Sequence, residues 1–335
     1  MTGVSELPYL GIRYQIKYHT CNLDCPYCIA QWKKFRADDF DLDTFTRVLE
    51  KIRLLPYRVS LRIGVGGEIF TSQPILDEIR KLCNEDNNII GVSFSTNLAA
   101  SWDKKIFPFI ESVDVSKLGL GCTLHDTVIK SVDQFFEKME KLHKYGVALY
   151  AGYVAIPERI DEIRSYKERC DQIGVPLTMN GIHGRVSGVA GVDDTLIYPA
   201  AYTDEQREAL KAVWDTPHNY MMEIGGASPK GMACSAGNNY VYIDQKGNVS
   251  SCGQLLDSED AALGNIVTDE ITLKNADIIC PKNACPCGNE NQALKIIDKY
   301  YDRGHVLRVY RPKDGYDNDY LYSLYNKNVF NVSVE

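Results

Sequence analysis

"GIRYQIKYHTCNLDCPYC", residues 11–28, is an alternating stretch that runs directly into three cysteines. Ile12, Tyr14, Ile16 and Tyr18 alternate with Arg13, Gln15, Lys17 and His19, the two-residue period of a strand with one apolar and one polar face. The period returns three times. Val59, Leu61, Ile63 and Val65 alternate with Ser60, Arg62, Gly64 and Gly66; Val92, Phe94 and Thr96 with Ser93, Ser95 and Asn97; Leu118, Leu120, Cys122 and Leu124 with Gly119, Gly121, Thr123 and His125. Strands are expected near 11–19, 58–66, 90–96, 114–124, 146–155 and 175–181. Helices are expected between them, near 41–54, 72–86, 101–111, 132–145 and 158–173, with Asp41, Ser101 and Ser131 as N-caps. Such alternation builds a parallel sheet with crossover helices. A closed eight-stranded barrel fills its interior with branched apolar residues. Here the helices claim the apolar faces, so the polar and glycine faces converge on a polar cavity. An antiparallel sheet with one solvated face is the alternative, and the interleaved helices disfavour it.

Composition narrows the classes of function. The 335 residues carry 37 Lys and Arg against 45 Asp and Glu, a net charge of −8 that argues against a nucleic-acid partner. No run approaches the ~18 apolar residues of a membrane span, and the first residues lack a signal peptide's charged start and apolar core. A cytoplasmic location is expected, with no membrane partner. Thiols stay reduced there, so the eleven cysteines read as metal ligands or redox centres before disulfides.

Cys21, Cys25 and Cys28 are one ligand short of a closed tetrahedral site. Three thiolates and an open position describe a catalytic metal or a 4Fe-4S cluster with one exposed iron. Their loop follows the first strand, at the carboxyl end of the sheet, where parallel sheets place their chemistry. The pattern, with Tyr27 inside the second gap, resembles the signature of the radical S-adenosylmethionine (radical SAM) enzymes. The resemblance implies a partial (β/α)6 barrel and a 4Fe-4S cluster whose open iron chelates S-adenosylmethionine. It implies a 5'-deoxyadenosyl radical that abstracts hydrogen from substrate, and an electron donor such as flavodoxin or ferredoxin. "GVGGEIF" (64–70) is similar to the family's glycine-glycine-glutamate motif, which would bring Gly66, Gly67 and Glu68 to the methionine amino group. Ser95 and Asn97 are similar to its ribose-contacting residues, and Tyr27 would lie against the adenine.

From about residue 202 the texture changes. A helical stretch, "TDEQREALKAVW", leads to "CSAGNNYVYIDQKGNVSSC" (234–252), whose middle reads as a hairpin bringing Cys234 and Cys252 together. "CPKNACPC" (280–287) adds Cys280, Cys285 and Cys287. This half resembles a Twitch or SPASM extension: Cys234, Gly247 and Cys252 match its opening, and too few cysteines follow for a full SPASM domain. The resemblance implies one auxiliary 4Fe-4S cluster on Cys234, Cys252 and two of Cys280, Cys285 and Cys287, without saying which two. A structural zinc is the competing reading. Cys83, Cys122 and Cys170 read as buried small apolar residues.

The expected organisation is a partial (β/α)6 barrel over 1–200, a helical linker over 201–231, and a small cysteine-rich α+β domain with a β-hairpin over 232–290. A tail over 291–335 is expected to pack on the barrel. Arg62, His125, Asn180 and His183 are the substrate-pocket candidates, with Arg185 near His183 at the mouth. The polar inward face suits a small hydroxylated or anionic metabolite, sugar-like or aminocyclitol-like, undergoing oxidation, epimerisation or dehydration. With the cysteine triplet beginning at residue 21, no leader-peptide-binding domain is expected in front of it. A peptide modifier is the second reading, and a non-catalytic iron-sulfur or zinc protein the third.

Overall fold

The computed structural model describes residues 6–18, 20–28, 40–85, 87–185, 187–189, 192–304 and 310–326. Six strands lie parallel in chain order: β1 (Tyr9–Ile16), β2 (Arg58–Val65), β3 (Ile89–Thr96), β4 (Leu118–Leu124), β5 (Ala148–Val154) and β6 (Leu177–Asn180). Helices α1 (Leu42–Ile52), α2 (Gln73–Asn84), α3 (Phe107–Glu111), α4 (Val132–Lys144) and α5 (Ile160–Ile173) connect them. All six expected strands and all five expected helices are present. His19, the end of the expected first strand, lies outside the described residues.

Local chemistry sets the helix starts. The Asp41 carboxylate accepts from the Asp43 and Thr44 amides, and the Ser101 and Ser131 hydroxyls from the Lys104 and Gln134 amides, satisfying donors that the first turn leaves open. The stretch after Ser101 differs in kind, being a π-helical turn (Trp102–Ile106) that runs into α3. Strand β4 begins at Leu118, later than its sequence suggests. Asp114 accepts from the Ser116 amide and hydroxyl and winds 115–117 into a 3-10 turn. The apolar faces of the strands pack on the helices. Helix α1 buries Phe45, Val48, Leu49 and Ile52, and the Phe45 ring stacks on Tyr14 of β1 at 5.6 Å. Four such side chains stabilise this contact by about 6–12 kcal/mol.

The C-terminal part continues with α6 (Asp204–Val213), α7 (Pro217–Glu223), β7 (Ala233–Cys234), β8 (Tyr240–Ile243), β9 (Asn248–Ser250), β10 (Ala262–Asn265), β11 (Ile278–Ile279), α8 (Ile296–Tyr300), β12 (Tyr301–Arg303), β13 (Tyr310–Pro312) and α9 (Asn318–Asn326). The expected hairpin is β8–β9. Its turn is tied by Asp244, which accepts from the Lys246 and Asn248 amides. The hairpin does not stand apart. Strand β8 pairs in parallel with β1, Gly11 facing Tyr240 and Tyr14 facing Ile243, and the sheet runs β10-β9-β8-β1-β2-β3-β4-β5-β6. The backbone edge that β1 would otherwise expose is thereby covered. The tail folds onto α6 and α7: Tyr322 Oη donates to the Lys211 carbonyl at 3.4 Å, and Tyr325 Oη bonds His218 Nδ1.

Candidate active site

The polar strand faces turn inward, and they fill much of the lumen themselves. Arg62 of β2 is buried; its Nη2 reaches Ser95 Oγ and, at 2.9 Å, Tyr150 Oη of β5. Tyr150 occupies the space that a side chain at Gly121 would take, since a Cβ there would sit 2.2 Å from its hydroxyl. Arg13, beside Arg62 in register, bonds Gln15 Oε1 at 3.0 Å and Glu290 Oε1 at 2.8 Å. The cavity expected over the glycine faces is therefore shallower than their small size suggests, with two guanidiniums at its floor.

The cysteine loop lies above this floor, after β1. The Cys28 amide bonds the Cys25 carbonyl at 3.1 Å, which folds the loop back on itself. The Glu68 amide bonds the Thr20 carbonyl at 2.8 Å, and a Cβ on Gly67 would sit 2.1 Å from that same oxygen. Only glycine lets the end of β2 approach so closely. Asn97 holds the loop from β3, its Nδ2 donating to Asn22 Oδ1 at 2.8 Å and standing 3.7 Å from Cys21 Sγ.

Glu68 is 1% exposed. Its Oε1 accepts from the Phe70 amide (3.1 Å) and Thr96 Oγ1 (2.8 Å), and its Oε2 from the Asn97 amide (2.7 Å). Burial pushes this carboxyl's pKa up and the three donors oppose it. The carboxylate thus clamps the ends of β2 and β3 together, and what it presents to the cysteine loop is the Gly66–Gly67 backbone. Ser95 holds Arg62 and Asn97 braces the loop.

Tyr27 stacks on His125 with ring centroids 5.8 Å apart, its hydroxyl 3.3 Å from His125 Nδ1 and 3.4 Å from Thr127 Oγ1. Burial lowers the His125 pKa to about 4, so the imidazole is neutral near pH 7. The sequence reading does not reach the residue behind it. Asp126, its side chain 1% exposed, accepts from Arg159 Nη2 (2.6 Å), Tyr153 Oη (2.9 Å) and Tyr166 Oη (2.9 Å), anchoring the loop that carries His125. A carboxylate directly after a strand-ending histidine was the available signal. Asn180 ends β6 half-buried, whereas His183 and Arg185 are exposed beyond it.

Cys21 and Cys25 are half-buried, and burial raises both thiols, Cys25 to about 12 with the neighbouring Cys28 and Cys21 adding to the shift. Thiols raised in this way at Cys21 and Cys25 lose their protons readily only to a cation, which is the donor chemistry of an iron-sulfur group rather than of a catalytic thiol. In the C-terminal part Cys234, Cys252, Cys280 and Cys285 line one cavity, and burial again raises each thiol. Among the described residues no group of three or more His, Cys, Asp and Glu side chains is arranged around a single metal ion. Cys83, Cys122 and Cys170 are buried in the core, as expected.

A parallel half-barrel with a three-thiol loop at its carboxyl mouth defines a class of cluster-binding α/β proteins. Residues 16–170 match the model of the Radical SAM superfamily, so the chain carries a radical SAM domain, and that domain marks it as a radical SAM enzyme. The domain implies a 4Fe-4S cluster and S-adenosylmethionine. Among solved structures, native anSMEcpe with bound AdoMet and Cp18Cys peptide is similar at a TM-score of 0.51 and 16% identity, over 78% of this chain and 79% of that one. A histidine-tagged form of anSMEcpe with bound AdoMet gives 0.53 at 13% identity, over 77% and 76%. Streptococcus suis SuiB bound to S-adenosylmethionine gives 0.51 at 15% identity, over 78% of this chain and 64% of SuiB. At these identities the likeness is one of fold. No curated protein sequence matches the chain. Among the described residues no helix is long and apolar enough to cross a membrane.

Proposed function

We propose that Cys21, Cys25 and Cys28 hold the SAM-binding cluster, and that the enzyme abstracts hydrogen from a small polar metabolite seated at the mouth of the lumen. When bound, the cluster and S-adenosylmethionine supply the 5'-deoxyadenosyl radical. The chain's own residues do the rest. The Gly66–Gly67 backbone, fixed by the Glu68 clamp, offers its polar groups to the methionine end of the cofactor. Tyr27, backed by neutral His125, lies against the adenine, and Asn97 fixes the cysteine loop while Ser95 orients Arg62. A second 4Fe-4S cluster in the cavity of the C-terminal cysteines completes the reading.

One observation carries the substrate class: the lumen is floored by the half-buried Arg13 and the buried Arg62 with Gln15, Ser95 and Tyr150, groups that recognise hydroxyls and anionic oxygens. Sugar-like and aminocyclitol-like metabolites fit that floor. The test is to incubate the reduced enzyme with deuterated candidates and follow deuterium into 5'-deoxyadenosine by mass spectrometry. Transfer from a polyhydroxylated metabolite supports the proposal. The same framework accommodates a peptide in anSMEcpe, which was solved with Cp18Cys peptide. Transfer from peptides alone would establish that second reading in its place.

A further inference from the structure

Five cysteines stand in the C-terminal part and a 4Fe-4S cluster takes four ligands. Spacing alone does not say which is left over. The structure separates them. Cys234 and Cys280 are brought together by the two-stranded ladder β7–β11, in which Cys234 faces Ile278 and the Cys280 amide bonds the Met232 carbonyl at 2.9 Å. Cys252 follows β9, at the foot of the hairpin, and Cys285 is buried. These four line one cavity, whose remaining wall combines apolar Ala236, Leu255 and Ile278 with polar Gln254, Lys282 and Glu290.

Cys287 is not part of that wall. Its sulfur accepts a hydrogen bond from Arg13 Nη1 at 3.0 Å, on the inward face of β1. The same nitrogen bonds Glu290 Oε1 at 2.8 Å, and the other Glu290 oxygen receives the Cys252 thiol at 3.2 Å and the Gly253 amide at 3.1 Å. The Glu290 carboxylate is wholly enclosed, and Gly253 makes its seat: a Cβ there would lie 2.6 Å from Oε1. Breaking a buried ion pair by removing one partner leaves an uncompensated charge, so this arrangement is strongly held.

We infer that the auxiliary ligands are Cys234, Cys252, Cys280 and Cys285, and that the Arg13–Glu290 pair positions Cys287 outside the set, facing the barrel. The inference rests on the auxiliary-cluster reading given above. Glu290 then stands as a fixed negative charge beside a ligand sulfur, where charge tunes the cluster's potential.

The test reconstitutes the full chain anaerobically and counts iron and acid-labile sulfide in the wild type, Cys287→Ala, Cys287→Ser, Cys280→Ala and Cys285→Ala. Two clusters give about eight irons. The expected result is about eight for the wild type and both Cys287 variants, and a fall towards about four for Cys280→Ala and Cys285→Ala. Loss of iron in both Cys287 variants, with retention in either of the others, overturns the assignment. A wild type with about four irons and stoichiometric zinc sinks the auxiliary-cluster reading itself. Glu290→Gln gives a second readout by redox titration of the cluster that the variant retains: the auxiliary couple moves to higher potential. An unmoved potential overturns the placement of Glu290 beside the ligand set.

Discussion

Replacing Glu68 with glutamine distinguishes a clamp from a cofactor ligand. In the folded chain the carboxylate accepts from the Phe70 amide, Thr96 Oγ1 and the Asn97 amide. A glutamine amide keeps one acceptor oxygen, which can still serve Phe70 and Thr96, but its NH2 then faces the Asn97 N–H donor to donor. One buried backbone donor is left unsatisfied, at a cost of about 1–3 kcal/mol, and the surviving bonds lose their charge assistance. Removing a buried charge returns part of that loss, because burial had already pushed the carboxyl's pKa up. The net is a destabilisation of about 2 kcal/mol, or roughly 3 °C in melting temperature for a chain of this length. The damage spreads to Asn97, which braces Asn22 and Cys21, so S-adenosylmethionine affinity falls as a secondary effect. The assay is thermal denaturation of the protein with and without its iron, beside equilibrium binding of S-adenosylmethionine under anaerobic conditions. An unchanged melting temperature combined with abolished binding would refute the reasoning, because it would mean that the carboxylate contacts the cofactor directly.

Three further outcomes are expected. Cys25→Ala abolishes formation of 5'-deoxyadenosine from S-adenosylmethionine, since two thiolates hold a cluster poorly; persisting cleavage would remove the cysteine loop from the chemistry. Gly67→Ala forces a Cβ to within 2.1 Å of the Thr20 carbonyl, backbone that cannot swing aside, so iron content falls by about one cluster while the auxiliary signal survives in EPR. His218 is 0% exposed, its ring bonded to Tyr325 Oη and the Asn291 carbonyl, and burial lowers its pKa to about 4 against the opposing pull of the Asn291 bond. Its contribution is complete above the unfolded value of about 6.5 and is lost as pH falls towards 4, by up to about 3 kcal/mol. Urea melts of the wild type and His218→Gln at pH 7 and pH 5 should differ in slope with pH, and parallel behaviour would disprove the linkage.

The parts of this molecule that were legible in the sequence are those whose causes are local. Alternation in β1 to β4 revealed both the strands and the face each turns to the lumen, because a strand's side chains alternate whatever its neighbours do. Caps such as Asp41 and Ser131 act within three residues and fixed the helix starts in advance. What stayed hidden depends on distant partners. The pairing of residues 11–14 with 240–243 brings the hairpin onto the barrel sheet from far along the chain, and no pattern in either strand names the other. Glu68 shows the same limit at a smaller scale: its spacing placed it at the end of β2, but the direction of its carboxylate is decided by Thr96 and Asn97 at the end of β3. The bond between Arg13 and Glu290 is illegible for the same reason, its partners lying 277 positions apart. Inward arginines differ in the partner they find: Arg62 meets the hydroxyls of Ser95 and Tyr150, whereas Arg13 meets the Glu290 carboxylate three residues beyond the last of the clustered cysteines. That pair joins the strand that leads into the first cysteine loop to the cysteine-rich segment, so a change at Arg13 is expected to be felt at both.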